Sequence, residues 1–153
     1  MNKFMNRVLQ LADQNISAGG WPFAALIVKD GQIIAEGVNS VHATCDPSEH
    51  AEIAAIRKAT TTLGSTDLSS CTMYVVGLPC PMCATCIVLS KLSDVRYAVG
   101  VEHKDKALSK LPPTDGLYNL VSTDYGASKI SYTQLQNSEQ AGVALFEKWN
   151  NTI

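Results

Sequence analysis

Apolar runs of strand length alternate with helix-like stretches along this chain, and the alternation limits the folds it can adopt. Short runs rich in Val, Ile, Tyr and Thr favour β-strands, whereas apolar residues recurring about every 3.6 positions favour amphipathic helices. The predicted strands are Phe23–Lys29, Gln32–Val38, Cys71–Gly77, Val95–Val101 and Lys129–Leu135, and the predicted helices are 3–17, Pro47–Thr62, 81–92 and Glu139–Asn150, with a short one at Gly116–Ser122. This order predicts an α/β fold in which a five-stranded mixed sheet carries helices on its faces.

Local signals mark several of the predicted boundaries. Asp30-Gly31 separates two strands and is typical of a two-residue hairpin turn. Asp46 could cap a helix that begins at Pro47, and Glu49 follows three residues later, as in a capping box. Gly64 is then expected to end that helix.

Chain length and charge narrow the class of protein. The 153 residues, with a formal net charge of −2, suit one domain over 1–153 that needs no disulfide. The longest apolar run, Phe23–Val28, is far shorter than the roughly 20 residues of a membrane span, and no signal segment is visible. We therefore expect a cytoplasmic protein with reduced thiols. A net negative charge does not provide the overall attraction to nucleic acid or to an anionic membrane that a basic protein has.

Three side chains with metal-binding donor atoms fall near the predicted starts of two helices: His50, Cys80 and Cys83. Cys80 and Cys83 are three residues apart, so they share one side of a helical turn, and a helix N-terminus favours their thiolate forms. With His50 they would hold one Zn²⁺ and leave its fourth position open for water. That pattern is typical of catalytic zinc, which lowers the pKa of bound water to about 7.

Glu52 is the predicted proton carrier beside this zinc. Residues two apart point about 200° from each other around a helix, so Glu52 cannot share the helical face of His50. The metal must therefore lie off the helix end, where the small side chain of Ala51 leaves room for a substrate. A carboxylate there can take a proton from zinc-bound water and pass it to a substrate nitrogen.

The spacing of the cysteines also allows other interpretations. Cys80 and Cys83 could form a thioredoxin-like redox pair. Cys86 could close the metal site as a fourth thiolate, although it points about 120° away from Cys80 on a continuous helix. The remaining histidines and cysteines are predicted to be core, loop or surface residues: His42, His103, Cys45 and Cys71.

The segments His50-Ala51-Glu52 and Pro79-Cys80-Pro81-Met82-Cys83 have the forms H-x-E and P-C-x-x-C. In this the chain resembles the cytidine-deaminase-like zinc deaminases, and over roughly residues 5–120 it looks most like bacterial guanine deaminases and other nucleobase deaminases. Further markers are Pro22-Phe23, Leu26-Ile27-Val28-Lys29-Asp30-Gly31, Glu36-Gly37, Asn39, Asp46-Pro47, Glu102-His103 and Asp115 with Tyr118. The resemblance implies a three-layer α/β/α sandwich and hydrolytic loss of an exocyclic amine as ammonia.

The resemblance also implies roles for individual residues. The metal ligands and the proton carrier named above keep those roles. Asn39 would hydrogen-bond the base, Phe23 would line the pocket with its ring stacked near His50, and Asp115 would contact the far side of the substrate. Ala51 would lie beside the substrate.

A homodimer is a further implication of the resemblance. Members of the family exchange or interlock their C-terminal segments. Phe146 and Trp149 could serve such an exchange, and packing on their own domain is the equal alternative.

Four positions depart from the guanine deaminase pattern and concern the identity of the substrate. Leu78 stands where many purine-directed relatives carry Glu, and Leu89 stands where guanine deaminases often have an aromatic residue. Ala24 replaces an expected glycine, and Ile153 replaces a terminal aromatic. Guanine is the first expected substrate; cytosine, isocytosine, an aminotriazine or a nucleoside are the alternatives.

Two functions of other classes compete with a nucleobase deaminase. A tRNA adenosine deaminase would need basic residues along the C-terminal helix, but residues 129–153 carry Lys129 and Lys148 against Glu139 and Glu147. A zinc-stabilised interaction domain would not need Glu52. We therefore expect a small-molecule substrate and do not expect nucleic acid as a partner.

Overall fold

The computed structural model describes residues 2–103, 108 and 130–152. Its strands are β1 (Ala24–Lys29), β2 (Gln32–Val38), β3 (Cys71–Gly77), β4 (Asp94–Val99) and β5 (Ser131–Gln134). Its helices are α1 (Lys3–Ser17), α2 (Val41–Thr44), α3 (Ala51–Leu63), α4 (Pro81–Leu89) and α5 (Glu139–Thr152). The helix predicted at Gly116–Ser122 lies outside the described residues.

The five strands form one mixed sheet in the order β2-β1-β3-β4-β5. Strand β1 pairs antiparallel with both β2 and β3, whereas β3, β4 and β5 run parallel. Because β2 and β3 both run opposite to β1, their carboxyl ends lie at the same edge of the sheet. Helices α3 and α4 follow those two strands, so both begin at that edge.

Each face of the sheet is covered by helices, which confirms the three-layer sandwich. On one face α1 and α5 bury Leu26, Tyr74 and Val76, with Phe146 at the centre of the layer. On the other face α3 and α4 cover the alternate side chains of the same strands: Ala25, Ile27, Met73, Val75 and Val95. Side chains that alternate between two cores explain why the central strands are apolar throughout.

The turn between β1 and β2 has the predicted geometry. Asp30 and Gly31 have φ values of 49° and 74°. Two successive positive φ values characterise the hairpin turns that match the twist of the flanking strands. The strand pair that begins the sheet is therefore set locally.

The prediction for the start of α3 was wrong. The helix begins at Ala51, not at Pro47, and His50 is its N-cap. Asp46 does not cap it, because its carboxylate accepts hydrogen bonds from the backbone N–H and the hydroxyl of Ser48, at 2.8 and 2.7 Å. The acidic residue therefore shapes a tight turn ahead of the helix. The predicted end at Gly64 is confirmed, with φ +62°.

Smaller differences occur at other boundaries. The stretch Asn39–Cys45, predicted as loop, contains the short helix α2, which ends at Cys45 in the left-handed conformation. Helix α4 ends at Leu89 and strand β4 ends at Val99, each before its predicted end. Among the described residues, no helix combines the length and apolar character needed to cross a bilayer.

Candidate active site

The candidate ligands His50 and Cys80 occupy equivalent positions in two different helices. Each is an N-cap with extended backbone, at φ −74°, ψ 153° for His50 and φ −72°, ψ 167° for Cys80. Their carbonyl groups accept the first helical hydrogen bonds, from Ala54 N at 3.0 Å and Ala84 N at 2.8 Å. Neither side chain caps its own helix. Both side chains therefore lie off the helix ends, at the sheet edge where α3 and α4 begin.

The donor atoms of His50, Cys80 and Cys83 form a compact cluster. His50 Nδ1 lies 3.6 Å from Cys80 Sγ and 3.5 Å from Cys83 Sγ, and all the ligand atoms are within 4.8 Å of one another. Zinc bonds of about 2.3 Å to sulfur and 2.0–2.1 Å to nitrogen, at tetrahedral angles, require an S···N separation of about 3.6 Å. The donor set and its spacing therefore fit zinc.

Cys86 is not a member of this cluster in the described part of the chain. It lies one turn further along α4, half-buried, and burial raises the pKa of its thiol. Three ligands therefore meet, and closure of the site by a fourth thiolate is not what the geometry favours. Cys83 is fully buried, whereas His50 and Cys80 are partly exposed, so the cluster is accessible from one side.

The two thiols of the cluster titrate very differently. The pKa of Cys80 is lowered to about 4, chiefly because the Cys83 thiol donates a hydrogen bond to it, with a further contribution from His50. The pKa of Cys83 is raised well above its usual value, because it is the donor in that bond, because it is buried, and because the Glu52 carboxylate is near. The pair therefore holds one thiolate and one thiol at neutral pH.

Glu52 lies in the first turn of α3, two residues after His50. Its carboxylate is close enough to Cys83 to raise the pKa of that thiol by both charge and hydrogen bonding. The half-buried carboxylate thus faces the cluster although it leaves the helix in another direction than His50. A carboxylate beside a three-ligand metal centre can act as a general acid and base.

Asn39 is buried, with 3% of its surface exposed, and its position is fixed by three bonds. Its N–H donates to Phe23 O at 3.0 Å, its Oδ1 accepts from Val41 N at 3.3 Å, and its carbonyl accepts from Asn15 Nδ2 at 3.0 Å. Asn15, which was not among the residues predicted from the sequence, also donates from Nδ2 to Trp21 O at 2.7 Å. The signal in the sequence that could have identified Asn15 is its position as a polar residue in the last turn of α1, beside the apolar face of that helix.

The other candidate substrate contacts are placed as follows. The ring of Phe23 lies 5.6 Å from that of Phe146, at the junction of the two cores. Ala51 is buried at the start of α3. Asp115 lies outside the described residues.

The C-terminal aromatics pack on their own chain in this structure. Phe146 is fully buried and Trp149 is nearly so. The Trp149 ring contacts Trp21 at 6.4 Å. Of the two alternatives for this segment, the described conformation is intrachain packing.

A family model for the cytidine and deoxycytidylate deaminase zinc-binding region matches residues 1–99, which contain the whole cluster and Glu52. The chain belongs to this deaminase family. It is therefore a zinc-dependent hydrolytic deaminase with the cytidine-deaminase-like fold.

Known relatives of this deaminase include enzymes acting on bases and on tRNA. The guanine deaminase of Bacillus subtilis (strain 168) is 38% identical over 149 residues, 97% of this chain and 92% of its own length. Its X-ray structure matches with a TM-score of 0.72 over 99% of this chain and 95% of the solved chain. A structure solved in complex with 2,6-diaminopurine is 28% identical, with a TM-score of 0.79 over 96% and 79% of the two chains. The tRNA-specific adenosine deaminase of Aquifex aeolicus (strain VF5) is 38% identical over 95 residues, 62% of this chain and 63% of its own.

Proposed function

We propose that this deaminase hydrolyses guanine to xanthine and ammonia. The observation that carries the hydrolytic chemistry is the three-ligand cluster of His50, Cys80 and Cys83 with Glu52 against it. Guanine is favoured because the similarity to a guanine deaminase extends over 97% of the chain, whereas the similarity to the Aquifex aeolicus tRNA deaminase extends over 62%.

His50, Cys80 and Cys83 would hold one zinc ion per chain. Two thiolates would balance the charge of Zn²⁺, and a neutral imidazole would complete the set. When bound, zinc supplies Lewis acidity and lowers the pKa of a water molecule to about 7. The partial exposure of His50 and Cys80 leaves that side of the site accessible to water and substrate.

Glu52 would carry protons between water and the base. In hydrolytic deamination the water proton must reach the ring nitrogen beside the carbon under attack, and the amine must leave as ammonia. A carboxylate on one side of the metal can perform both transfers in sequence. The first turn of α3 holds Glu52 in that position.

Asn39, Phe23, Ala51 and Asp115 are the proposed contacts of the base. The Asn39 side chain is oriented by the hydrogen bond that its Oδ1 accepts from Val41 N at 3.3 Å, and its Nδ2 is the donor proposed to face the base. Such a donor suits a carbonyl or ring nitrogen of a purine, and a buried donor left unpaired discriminates against bases lacking that acceptor.

We also propose that residues 1–153 act as one deaminase domain, in the cytoplasm and as a homodimer. Contacts between α1 and α5 join the two ends of the chain on one face of the sheet and support a single domain. Free thiols in the cluster suit a reducing compartment. The apolar outer side of α4, where Leu89 and Val88 are exposed, supports association with a second copy.

A substrate panel tests the activity. Zinc-loaded protein is assayed for ammonia release from guanine, cytosine, isocytosine, an aminotriazine, cytidine and a tRNA anticodon stem-loop. We expect guanine to give the highest kcat/KM. If the protein releases ammonia from none of these compounds, the deaminase function is contradicted. If it acts on the stem-loop alone, tRNA replaces guanine as the substrate.

The Glu52→Gln variant tests the proton carrier in the same assay. Because glutamine keeps the size of the side chain but cannot accept a proton, we expect full zinc content and a loss of kcat of about 10²–10⁴-fold. Glu147→Gln, on α5, is the matched control and should leave kcat unchanged. Retained activity in Glu52→Gln would remove Glu52 from the mechanism.

A further inference from the structure

Glu49 is an acidic residue immediately before His50 whose side chain is largely covered, with 18% of it exposed. Its two carboxylate oxygens have different partners. Oε2 accepts a hydrogen bond from the Ser40 hydroxyl at 3.1 Å, and Oε1 accepts one from Arg57 Nη1 on α3. These bonds, together with the backbone of Glu49, join three segments of the chain.

The backbone strengthens the connection between Ser40 and Glu49. The carbonyl of Glu49 accepts a hydrogen bond from Ser40 N at 3.0 Å. Ser40 is therefore held twice by one residue, through its N–H and through its hydroxyl. The segment that carries Asn39 is thus fixed against the segment that carries His50.

Arg57 connects the same carboxylate to the body of α3. It lies seven residues after His50, which is about two turns along the helix. The hydrogen bond from Arg57, followed by the hydrogen bond from Ser40 and the charge of Arg57, lowers the pKa of the Glu49 carboxyl, so the carboxylate is ionised at neutral pH. Glu49 therefore connects Ser40 to helix α3, which begins directly after His50 and carries Glu52 in its first turn.

Thermal stability does not explain this arrangement well. Arg57 is 57% exposed, and ion pairs with an exposed partner contribute little to folding. The contacts of Glu49 lie instead between the two segments that must keep a fixed separation if Asn39 and the metal end are to contact one substrate. A displacement of about 1 Å between reacting groups can cost a hundredfold in rate.

We propose that Glu49 is a positioning residue that sets the separation between Asn39 and the His50 end of the metal cluster, through Ser40 and Arg57. This role rests on the proposed function, since it concerns how the base is held against the metal. Glu49 touches neither the base nor the metal in this role.

The test compares Glu49→Ala, Glu49→Gln and Ser40→Ala with the control Glu36→Gln. Glutamine keeps an acceptor for the Ser40 hydroxyl but loses the charge that holds Arg57. The control breaks another ion pair, in which both carboxylate oxygens of Glu36 bind Arg7 at 2.8 Å. For each protein we would measure zinc content, KM and kcat with guanine, and hydrogen exchange of the peptide covering residues 38–44.

We expect Glu49→Ala to raise KM by at least about tenfold and to lower kcat/KM by about 10–100-fold, with zinc content equal to the wild type. Glu49→Gln should show a smaller effect of the same kind. Combining Ser40→Ala with Glu49→Ala should add nothing to Glu49→Ala, because both remove the same contact. Exchange in the 38–44 peptide should be about tenfold faster than in Glu36→Gln.

An unchanged KM in Glu49→Ala overturns the proposal, and so does a loss of kcat that merely follows a loss of zinc. If the wild type deaminates no base, the proposed function has failed and hydrogen exchange alone decides the positioning role. Wild-type exchange in the 38–44 peptide of Glu49→Ala would then overturn it, whereas faster exchange would support it.

Discussion

His50 and Cys80 are each the N-cap of a helix, and the direction of an N-cap side chain differs from that of a side chain within the helix. An N-cap side chain leaves the chain before the helical repeat begins, so two helices that start at one sheet edge can direct their N-cap side chains to a common point. A shift of one residue would turn the side chain by about 100°. The late start of α3 at Ala51 therefore matters for the cluster.

The zinc content of cysteine variants tests whether Cys83 is a metal ligand and Cys86 is not. Cys83→Ser should lower zinc from about one ion per chain to a small fraction after dialysis, because one of three ligands is lost. Cys86→Ser is the matched control on the next turn and should keep its zinc. Elemental analysis of both proteins decides the point, and loss of zinc from Cys86→Ser would contradict the three-ligand site.

Zinc binding should release protons in a way that follows from the two thiol pKa values. Cys80, with its pKa lowered to about 4, is already a thiolate at pH 7, whereas Cys83, with its pKa raised, is still a thiol. Zinc must displace the Cys83 proton, so affinity should rise by about tenfold per pH unit above neutrality until that thiol ionises.

Chelator competition titrations across this pH range measure the slope. An affinity that does not change with pH would mean that both thiols are already ionised in the free protein. Cys83→Ser, which lacks the titrating group, should lose the slope together with most of its affinity.

At the scale of elements, the packing of α3 on β2 determines where the N-terminus of α3 lies. Gly37 on β2 permits that packing. A Cβ atom at Gly37 would lie 2.3 Å from the carbonyl oxygen of Ala51 and 2.6 Å from the backbone nitrogen of Ala55. Both neighbours are backbone atoms, so they cannot move without moving α3. The helix that carries Glu52 can therefore reach its position only above a glycine.

Gly37→Ala should consequently destabilise the protein by about 1–3 kcal/mol and weaken zinc binding, because α3 must move away from the sheet. Gly100→Ala is the control, since a Cβ there would meet nothing within 4 Å. Urea unfolding and zinc titration of both variants measure the two effects. Equal stability of the two variants would show that α3 accommodates the methyl group.

For the whole molecule, the exposed apolar side of α4 is the feature that bears on assembly. Met82, Val88 and Leu89 are 39%, 54% and 75% exposed. They are three of the four exposed large apolar residues in the described part of the chain, the fourth being Ile33 on β2. Met82 and Leu89 are seven residues apart and share one side of α4, and exposed apolar side chains on one side of a helix are typical of surfaces that associate.

Leu89→Lys should therefore convert a dimer into a monomer of 16.4 kDa, because it buries an unpaired charge in the proposed interface. Ile33→Lys introduces the same charge elsewhere and should leave the mass unchanged. Light scattering coupled to size-exclusion chromatography measures both. A monomeric wild type would contradict the homodimer.

Local sequence signals determined most of the fold and the composition of the cluster. The Asp30-Gly31 turn, the apolar central strands and the helix stop at Gly64 depend on backbone preferences that act over a few residues. The H-x-E and P-C-x-x-C spacings likewise identified the three donors that the structure brings together. Asp115 lies outside the described residues, so its contact with the substrate stays a prediction.

Tertiary contacts decided what local preference left undetermined. Asp46 and Glu49 have the spacing of a capping box, yet their carboxylates bind Ser48 and the Ser40–Arg57 pair instead. A side chain can satisfy only a limited number of donors, and which donors are near depends on how β2, α2 and α3 meet. The sequence by itself therefore determined which residues could bind zinc, and the packing of distant segments decided where α3 begins and how Ser40, next to Asn39, is bonded to Glu49, next to His50.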